Sequence, residues 1–176
     1  MKHIDFKNVD IKSGYLKDKE LLNRKITINA VYDCFLDSGR IDAFNFDWNE
    51  RMGEAKKPHF FWDSDVAKWI EGASNIIAKE PDSELERKIE RLIDKIEKHM
   101  DDDGYFNIYF TVVEPSKRYI DRSMHELYCA GHLIEAAIKY YEATGRDRFL
   151  KLMCRYSDYI YKIFFEAIFR FAGNHH

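Results

Sequence analysis

Proline and glycine are scarce in this chain of 176 residues, which contains three prolines and eight glycines. The glycines fall mostly at the ends of patterned segments, where they can stop a helix. Hydrophobic residues make up 45% of the chain and charged residues 34%, which is typical of a folded globular protein and excludes a disordered one. The composition and length predict a single domain over residues 1–176 with a real core.

Cysteine is scarce as well, and its spacing excludes two kinds of site. The three cysteines, Cys34, Cys129 and Cys154, are far apart and form no CxxC pair. Neither a disulfide framework nor a thiolate zinc site is therefore predicted, and we expect buried free thiols.

An excess of positive charge and a long hydrophobic run are also missing. The net charge is −3, and Lys and Arg alternate with Asp and Glu instead of forming the basic stripe of a nucleic-acid-binding protein. The most apolar stretch, IYKIFFEAIFRF, is interrupted by Lys162, Glu166 and Arg170 and is too short to span a bilayer. The N-terminus, MKHIDFKNVD, lacks the apolar region of a secretory signal. We therefore expect no nucleic-acid or membrane partner and a cytoplasmic location.

Apolar residues recur at helical spacing in five segments, which predict five helices. The first apolar stripe covers residues 21–36 and is stopped by Gly39. The second helix begins near Ser64 and is ended by Pro81. Residues 1–17 are expected to form an N-terminal extension.

Local signals mark the starts of the later helices. Ser83 with Glu86, and Ser123 with Glu126, fit capping boxes, in which each side chain satisfies a free backbone donor of the first turn. Asp147 is placed to cap the fifth helix. In the N-terminal extension, a short strand is expected near Phe6 to Ile11.

The connections between the helices alternate in length. The second and third helices are joined by a few residues, as are the fourth and fifth, whereas residues 40–63 and 101–122 form connections of about twenty residues, well beyond the usual length. Short links make antiparallel hairpins, so both long connections are expected at the same end of the bundle. Long connections of this kind are often functional.

The helices also differ in kind. The second and fourth carry small residues on several faces, in GASNIIA and CAGHLIEAA, which suits a helix surrounded by neighbours. The third and fifth are polar on one side. The pattern predicts an all-α fold of helical hairpins, each with an inner and an outer helix, as in an α/α toroid. A plain helical bundle is the alternative.

Two histidines stand out in the fourth helix. His125 and His132 are seven residues apart, so they share a face but lie about 10 Å apart along the axis and cannot ligate one ion. HELYC also lacks the second histidine of the zincin motif HExxH, because Cys129 takes its place. His132 is expected to be a core histidine. For His125, at the end that carries the long connections, contact with a sugar hydroxyl and a structural role both remain open.

The long connections carry the other candidate residues. FFWDSDVAKW and DGYFNIYF combine flat aromatic faces with carboxylates and amides, which is the chemistry that a carbohydrate site needs. The alternative is structural: Asp63 or Ser64 caps the second helix and the aromatic residues bury the connection. Asp65 is favoured in the first helical turn by the helix dipole whatever it binds. DDDG fails as a calcium loop because His99 and Phe110 would occupy ligand positions.

Three segments together resemble the N-terminal part of glycoside hydrolase family 127, which includes β-L-arabinofuranosidases. They are FWDSDVAKWIEGASNIIAKEPDSELERKIERLIDKI, DGYFNIYF and HELYCAGHLIEAAIKYYEATG, in order and with their spacing kept. The resemblance implies an (α/α)6 barrel with added β-domains, in agreement with the predicted hairpins. It also implies that His125 contacts substrate at the barrel mouth. Asp65, Tyr105 and Asn107 match the family's loop motifs and are implied to help shape the pocket for an L-arabinofuranoside-like carbohydrate.

The resemblance does not extend to the family's catalytic groups. It implies a retaining mechanism with a cysteine nucleophile held near zinc by glutamate and further cysteines, and a separate glutamate as acid and base, all in the later part of the barrel. None of the cysteines here falls in a matching motif. We therefore assign no catalytic residue, no metal ligand and no cofactor to this chain.

After Phe164 the resemblance stops, and residues 165–176 form a divergent tail. We expect a truncated barrel from a lost reading frame or a split gene, inactive alone, whose missing part is supplied by a separate polypeptide or whose apolar flanks drive self-association. The alternative is a non-catalytic helical interaction module, or the remnant of a truncated gene.

Overall fold

The computed structural model describes residues 8–172, with side chains described for residues 8–165. Seven α-helices form within these residues, together with one π-helical turn and several 3-10 turns, and 8–172 contain no strand. Residues 8–11 of the expected N-terminal strand are therefore not a strand. Its first residue, Phe6, lies outside the described residues.

The N-terminal helical region consists of α1 (Tyr15–Leu22), a π-helical turn (Asn23–Thr27) and α2 (Ile28–Asp37), which follow one another without a break in helical backbone. It begins six residues before the predicted apolar stripe. Gly39, with a φ of 81°, follows its end and donates its N–H to the carbonyl of Leu36, which confirms its predicted role as a stop.

Two helical hairpins follow. The first contains α3 (Trp62–Lys79) and α4 (Ser83–His99), and the second contains α6 (Glu126–Thr144) and α7 (Arg148–Ala172). Three residues join the helices in each pair. The helices α3 and α6 pack side by side along their lengths, as predicted for the inner helices.

The helix α4 shows why the outer helices are amphipathic. The remaining faces of α4 are charged. Its buried apolar stripe repeats at helical spacing against the core and consists of Leu85, Ile89, Leu92, Ile93 and Ile96. Each such side chain stabilises the fold by about 1.5–3 kcal/mol relative to an exposed position. Burial of this one stripe therefore holds α4 against the core of the molecule.

The start of α4 differs from its prediction. Asp82 is the capping residue, and its Oδ1 accepts from the backbone N–H groups of Glu84 and Leu85, both at 3.1 Å. Ser83 is already inside the helix. The capping box of Ser83 with Glu86 is therefore wrong, because an aspartate one residue earlier satisfies the same donors.

The start of α6 also differs. His125 occupies the capping position in a left-handed conformation, with a φ of 58° and no side-chain cap. Ser123 lies outside the helix, in a 3-10 turn, where Asp121 Oδ1 accepts from its N–H and its Oγ. The capping box of Ser123 with Glu126 is wrong as well, because the Glu126 side chain is buried and bonded elsewhere.

The two long connections are packed rather than loose. The first contains three 3-10 turns and buries Ile41, Ala43 and Phe44. The second contains the short helix α5 (Tyr109–Val112) and two 3-10 turns, and residues 104–108 are all buried. Within the described residues, no helix is both long and apolar enough to cross a membrane.

Candidate functional site

Both long connections meet the start of α6 at one end of the molecule. Asp63, in the first turn of α3, accepts the N–H of Ile108 at 3.0 Å, which joins the first hairpin to the second connection. The ring of Phe60 lies 6.2 Å from that of Tyr109, and the Cys129 thiol donates to the Phe60 carbonyl at 3.5 Å. The meeting predicted from the alternating link lengths is therefore present.

An aromatic surface covers this meeting point. We call it the aromatic rim and define it as His59, Phe60, Phe61, His125 and Tyr128. The His125 ring is stacked on Phe60 at 5.6 Å and stands edge-on to Tyr128 at 5.5 Å, while His59 lies 4.0 Å from Phe61. The side chains of His59, His125 and Tyr128 are exposed, so the rim offers both flat faces and imidazole nitrogens to solvent.

The backbone at His125 is strained. A left-handed conformation costs a residue with a side chain about 1–2 kcal/mol, and such strain concentrates at functional sites. The conformation turns the chain from a 3-10 turn into α6 and leaves the imidazole exposed beside Phe60. His125 lies at the end of α6 where the long connections meet, as predicted, whereas its contact with a sugar stays a prediction.

Asp65 is half-buried and forms an ion pair with Arg40. Its Oδ2 lies 3.0 Å from Arg40 Nε, and the Arg40 guanidinium also lies over the ring of Trp62 at 5.2 Å. The pair ties the start of the first connection to the first turn of α3. Asp65 therefore has a structural partner in addition to the role implied for it by resemblance.

Tyr105 and Asn107 are fully buried within the second connection. The Tyr105 hydroxyl donates to Glu126 Oε1 at 2.5 Å, and the Arg118 guanidinium lies 3.7 Å from the centre of its ring. Asn107 Oδ1 accepts the N–H of Phe110 at 2.9 Å, while its Nδ2 is buried without a hydrogen-bond partner. These contacts hold the second connection in place, whereas the contribution of the two residues to a sugar pocket stays a prediction.

Two buried carboxyls hold the site together. Glu126 accepts from Tyr105 and, at 2.6 Å, from the backbone N–H of Tyr119. Burial raises its pKa, although these hydrogen bonds oppose the rise. Burial also raises the pKa of Asp63 to about 7, against the hydrogen bond from Ile108, and Asp63 Oδ2 has no hydrogen-bond partner. Both carboxyls therefore serve as buried hydrogen-bond acceptors for other segments of the protein and do not face the surface.

The predicted alternative in which Asp63 or Ser64 caps the helix is wrong. The capping position of α3 belongs to Phe61 and has no side-chain hydrogen bond. The Ser64 hydroxyl donates to the Phe61 carbonyl at 2.7 Å, and Asp63 binds the second connection. Asp63 thus serves a contact between distant segments, which local sequence does not reveal.

The cysteines do not form the zinc centre implied by the family. All three are free thiols: Cys129 is buried, as expected, but Cys34 and Cys154 are exposed, contrary to the expectation. Burial raises the pKa of the Cys129 thiol, which disfavours the thiolate that a metal or a nucleophilic role requires. The cysteines present therefore do not fit a zinc–thiolate centre.

One group of metal-ligating side chains does come together in the part of the chain with described side chains. Glu71 of α3 and His132 and Glu135 of α6 place one ligand atom each within 4.8 Å of the others. His132 is half-buried rather than a full core residue. The sequence shows His132 and Glu135 on one helix face, but it gives no signal that Glu71 lies beside them.

Paired inner and outer helices, with both long connections at one end, define a protein of the α/α-hairpin class. The profile described as β-L-arabinofuranosidase, GH127 catalytic domain, matches residues 8–168. The chain therefore belongs to glycoside hydrolase family 127. This family has an (α/α)6 barrel, and the hairpins of the chain are part of that fold.

Individual relatives agree with this assignment. A non-reducing end β-L-arabinofuranosidase of Bifidobacterium longum subsp. longum is 36% identical over 104 residues, which cover 56% of this chain and 16% of the relative. A GH127 β-L-arabinofuranosidase from Geobacillus stearothermophilus T6 superposes with a TM-score of 0.76 and 37% identity over 87% of this chain and 25% of that one. A second GH127 β-arabinofuranosidase gives a TM-score of 0.77 and 26% identity over 87% of this chain and 26% of that one. The chain thus spans about a quarter of the length of each matched structure, and the match covers 16% of the curated relative.

Proposed function

We propose that this chain supplies the sugar-binding rim of a β-L-arabinofuranosidase-like glycoside hydrolase and that catalysis requires groups outside it. The observation that carries the proposal is the position of His125, exposed in a left-handed turn where both long connections meet. The family membership supports a carbohydrate ligand of the L-arabinofuranoside type.

The chemistry of the rim suits such a ligand. The faces of Phe60 and Tyr128 can pack against the C–H faces of a sugar, and the His125 imidazole can donate and accept hydrogen bonds with its hydroxyls. The Lys68 ammonium lies over the Tyr128 ring at 4.8 Å, which restrains that ring on the surface. Together these groups bind and orient, and none of them supplies a nucleophile.

The proposal assigns no catalytic step to this chain. Asp63 and Glu126, which lie within two residues of the rim along the chain, are buried and already bonded to the protein. Cys129, the thiol nearest to it, is buried and its pKa is raised by burial. Retaining hydrolysis needs two accessible groups flanking the scissile bond, so the acid, the base and the nucleophile must come from elsewhere.

A titration with methyl β-L-arabinofuranoside, followed by calorimetry, tests the rim. We expect saturable binding by the wild type and a loss of about tenfold in affinity for His125→Ala, since one hydrogen bond and one ring contact are removed. Tyr141→Ala is the control, because it removes an exposed ring of the same helix at the other end. Equal losses in both variants, or no saturable binding by the wild type, would contradict the proposal.

A second candidate function is a non-catalytic helical interaction module. Its support is a set of large apolar side chains left exposed on the second hairpin: Leu127, Ile138, Tyr141, Tyr161 and Phe165. In the enzyme part the same surface would contact a separate polypeptide that completes the barrel, whereas in the interaction module it would contact a second copy of this chain or another protein without restoring activity. An assay on an L-arabinofuranoside with zinc, with and without a completing polypeptide, separates the candidates: activity only in the mixture supports the enzyme part.

A further inference from the structure

We propose that Glu71, His132 and Glu135 form a binding site for a divalent transition-metal ion of the zinc class. The inner helices α3 and α6 pack side by side, and this contact brings Glu71 of one helix to the face of the other that carries His132 and Glu135. All three ligand atoms lie within 4.8 Å of one another. The donor set is one imidazole nitrogen and two carboxylate oxygens.

The state of His132 is the second observation that points to a ligand. Its Nδ1 is shielded from solvent and makes no hydrogen bond, although it lies only 3.2 Å from Glu135 Oε2. A shielded ring nitrogen without a hydrogen bond leaves a polar atom unsatisfied, which is costly unless something else binds it. A metal ion between the imidazole and the two carboxylates would satisfy all three groups.

The geometry and the donor types select the class of ion. Zinc binds nitrogen and oxygen ligands at about 2.0–2.2 Å, which places the ligand atoms of a tetrahedral site about 3.3–3.6 Å apart. His132 Nδ1 and Glu135 Oε2, at 3.2 Å, are close to that separation, and the exposed Glu135 side chain can rotate to bring the ligand atoms into place. Calcium and magnesium prefer oxygen ligands alone, so the imidazole favours a zinc-class ion.

The side chains around Glu71, His132 and Glu135 leave the proposed metal position free for an ion. The Tyr128 ring meets His132 edge-on at 4.5 Å and thereby restrains the imidazole. Lys68 is directed to the Tyr128 ring and Lys139 to Glu142, at 2.8 Å, so both neighbouring ammonium groups have partners of their own. With three protein ligands, a tetrahedral ion keeps one position open for water.

The position links this site to the aromatic rim. The rings of His125, Tyr128 and His132 follow one another along one face of α6, at 5.5 Å and 4.5 Å. An ion held here would tie α3 to α6 directly beneath the rim. Its donor set differs from the cysteine and glutamate set implied by the family resemblance.

Zinc binding to the purified 176-residue chain, measured by calorimetry, tests the proposal. Every protein in the experiment carries His175→Ala and His176→Ala, because two adjacent terminal histidines can themselves bind zinc. We expect one saturable zinc site, weakened by at least about tenfold in Glu71→Gln and in His132→Gln. We also expect a rise in the melting midpoint with zinc that EDTA reverses.

The control is Glu84→Gln, because Glu84 is a glutamate of α4 that pairs with Lys88 and takes no part in the proposed site. It should keep the wild-type affinity within about twofold, and circular dichroism should show the same helix content in all variants. An unsaturable titration, or unchanged affinity in Glu71→Gln and His132→Gln, would overturn the site and leave only a contact between the His132 and Glu135 side chains. Because this readout involves no sugar, it stands independently of the rim.

Discussion

Asp63 shows how one buried carboxyl couples pH to the candidate site. It is fully buried, accepts the N–H of Ile108 and leaves its second oxygen without a hydrogen-bond partner. Burial raises its pKa from 3.8 to about 7, since the charged form loses its solvation. The folded state therefore holds this proton more tightly than the unfolded chain does.

The sign of the pH effect follows from linkage. Where the folded state binds more protons than the unfolded state, the free energy of unfolding falls as pH rises. The contribution of Asp63 is fully present below pH 3.8 and is lost as pH rises through about 7. A difference of this size corresponds to a free energy of unfolding on the order of 4 kcal/mol.

We predict that Asp63→Asn removes this part of the pH dependence. The substituted amide oxygen can still accept from Ile108 but carries no charge at any pH. Urea denaturation between pH 5 and pH 8 should show the wild type losing stability relative to the variant and levelling off at the upper end. Asp158→Asn, an exposed aspartate of α7, is the control, and parallel curves for wild type and Asp63→Asn would refute the assignment.

At the scale of the elements, the second long connection is locked against α7 at Gly104. This glycine has a φ of 95°, and a Cβ placed on it would lie 2.5 Å from the carbonyl oxygen of Arg155. Arg155 Nη2 in turn donates to the carbonyls of Asp101 and Asp102 at 3.4 Å. The connection and the helix thus approach each other more closely than any residue with a side chain permits.

We predict that Gly104→Ala lowers the free energy of unfolding by about 3 kcal/mol, because it adds a backbone clash to left-handed strain. Gly145→Ala is the matched control: its φ is 74° and an added Cβ meets nothing within 4 Å. It should cost only about 1 kcal/mol. Equal costs for the two variants in urea denaturation would show that the approach to Arg155 is not tight.

At the scale of the whole molecule, the second hairpin leaves large apolar side chains without cover. The rings of Tyr161 and Phe165 are stacked at 4.5 Å on α7, with 60% and 47% of each residue exposed. Exposed apolar side chains that lie together can form an interaction surface. In a complete (α/α)6 barrel, a further hairpin stands beside the second one.

We predict that the chain on its own self-associates through this surface. Replacing Tyr161→Lys together with Phe165→Lys should shift sedimentation velocity profiles toward the monomer at high protein concentration, since apolar contact is lost and charge is gained. Glu84→Lys is the control, because it changes the net charge by the same two units on the first hairpin. An identical shift in both proteins would attribute the effect to charge alone.

Local sequence predicted the helices better than their first residues. The stop at Gly39 and the two short links agree with the prediction, because a glycine after an apolar stripe and a link of three residues act through the neighbouring backbone alone. Both capping boxes were wrong for a shared reason. Asp82 precedes Ser83 and takes the same donors, and Glu126 is drawn away by Tyr105 from twenty-one residues earlier in the chain.

The candidate site was predictable only in part. His125 was singled out because it stands at the end of an inner helix that follows a long connection. Tyr105 and Asn107 came from family motifs, which do not distinguish a residue on the rim from one buried behind it. The sequence gives no signal for Glu71, since no sequence spacing relates a residue of α3 to His132 of α6.

The sequence by itself determined the all-helical hairpins and the end at which the long connections emerge, because apolar periodicity and link length are local properties of the chain. Only the tertiary structure decided which side chains face solvent, which carboxyls are buried and which ligands converge between helices. These outcomes depend on how separate helices pack, and packing joins residues whose distance along the chain carries no information about their distance in space.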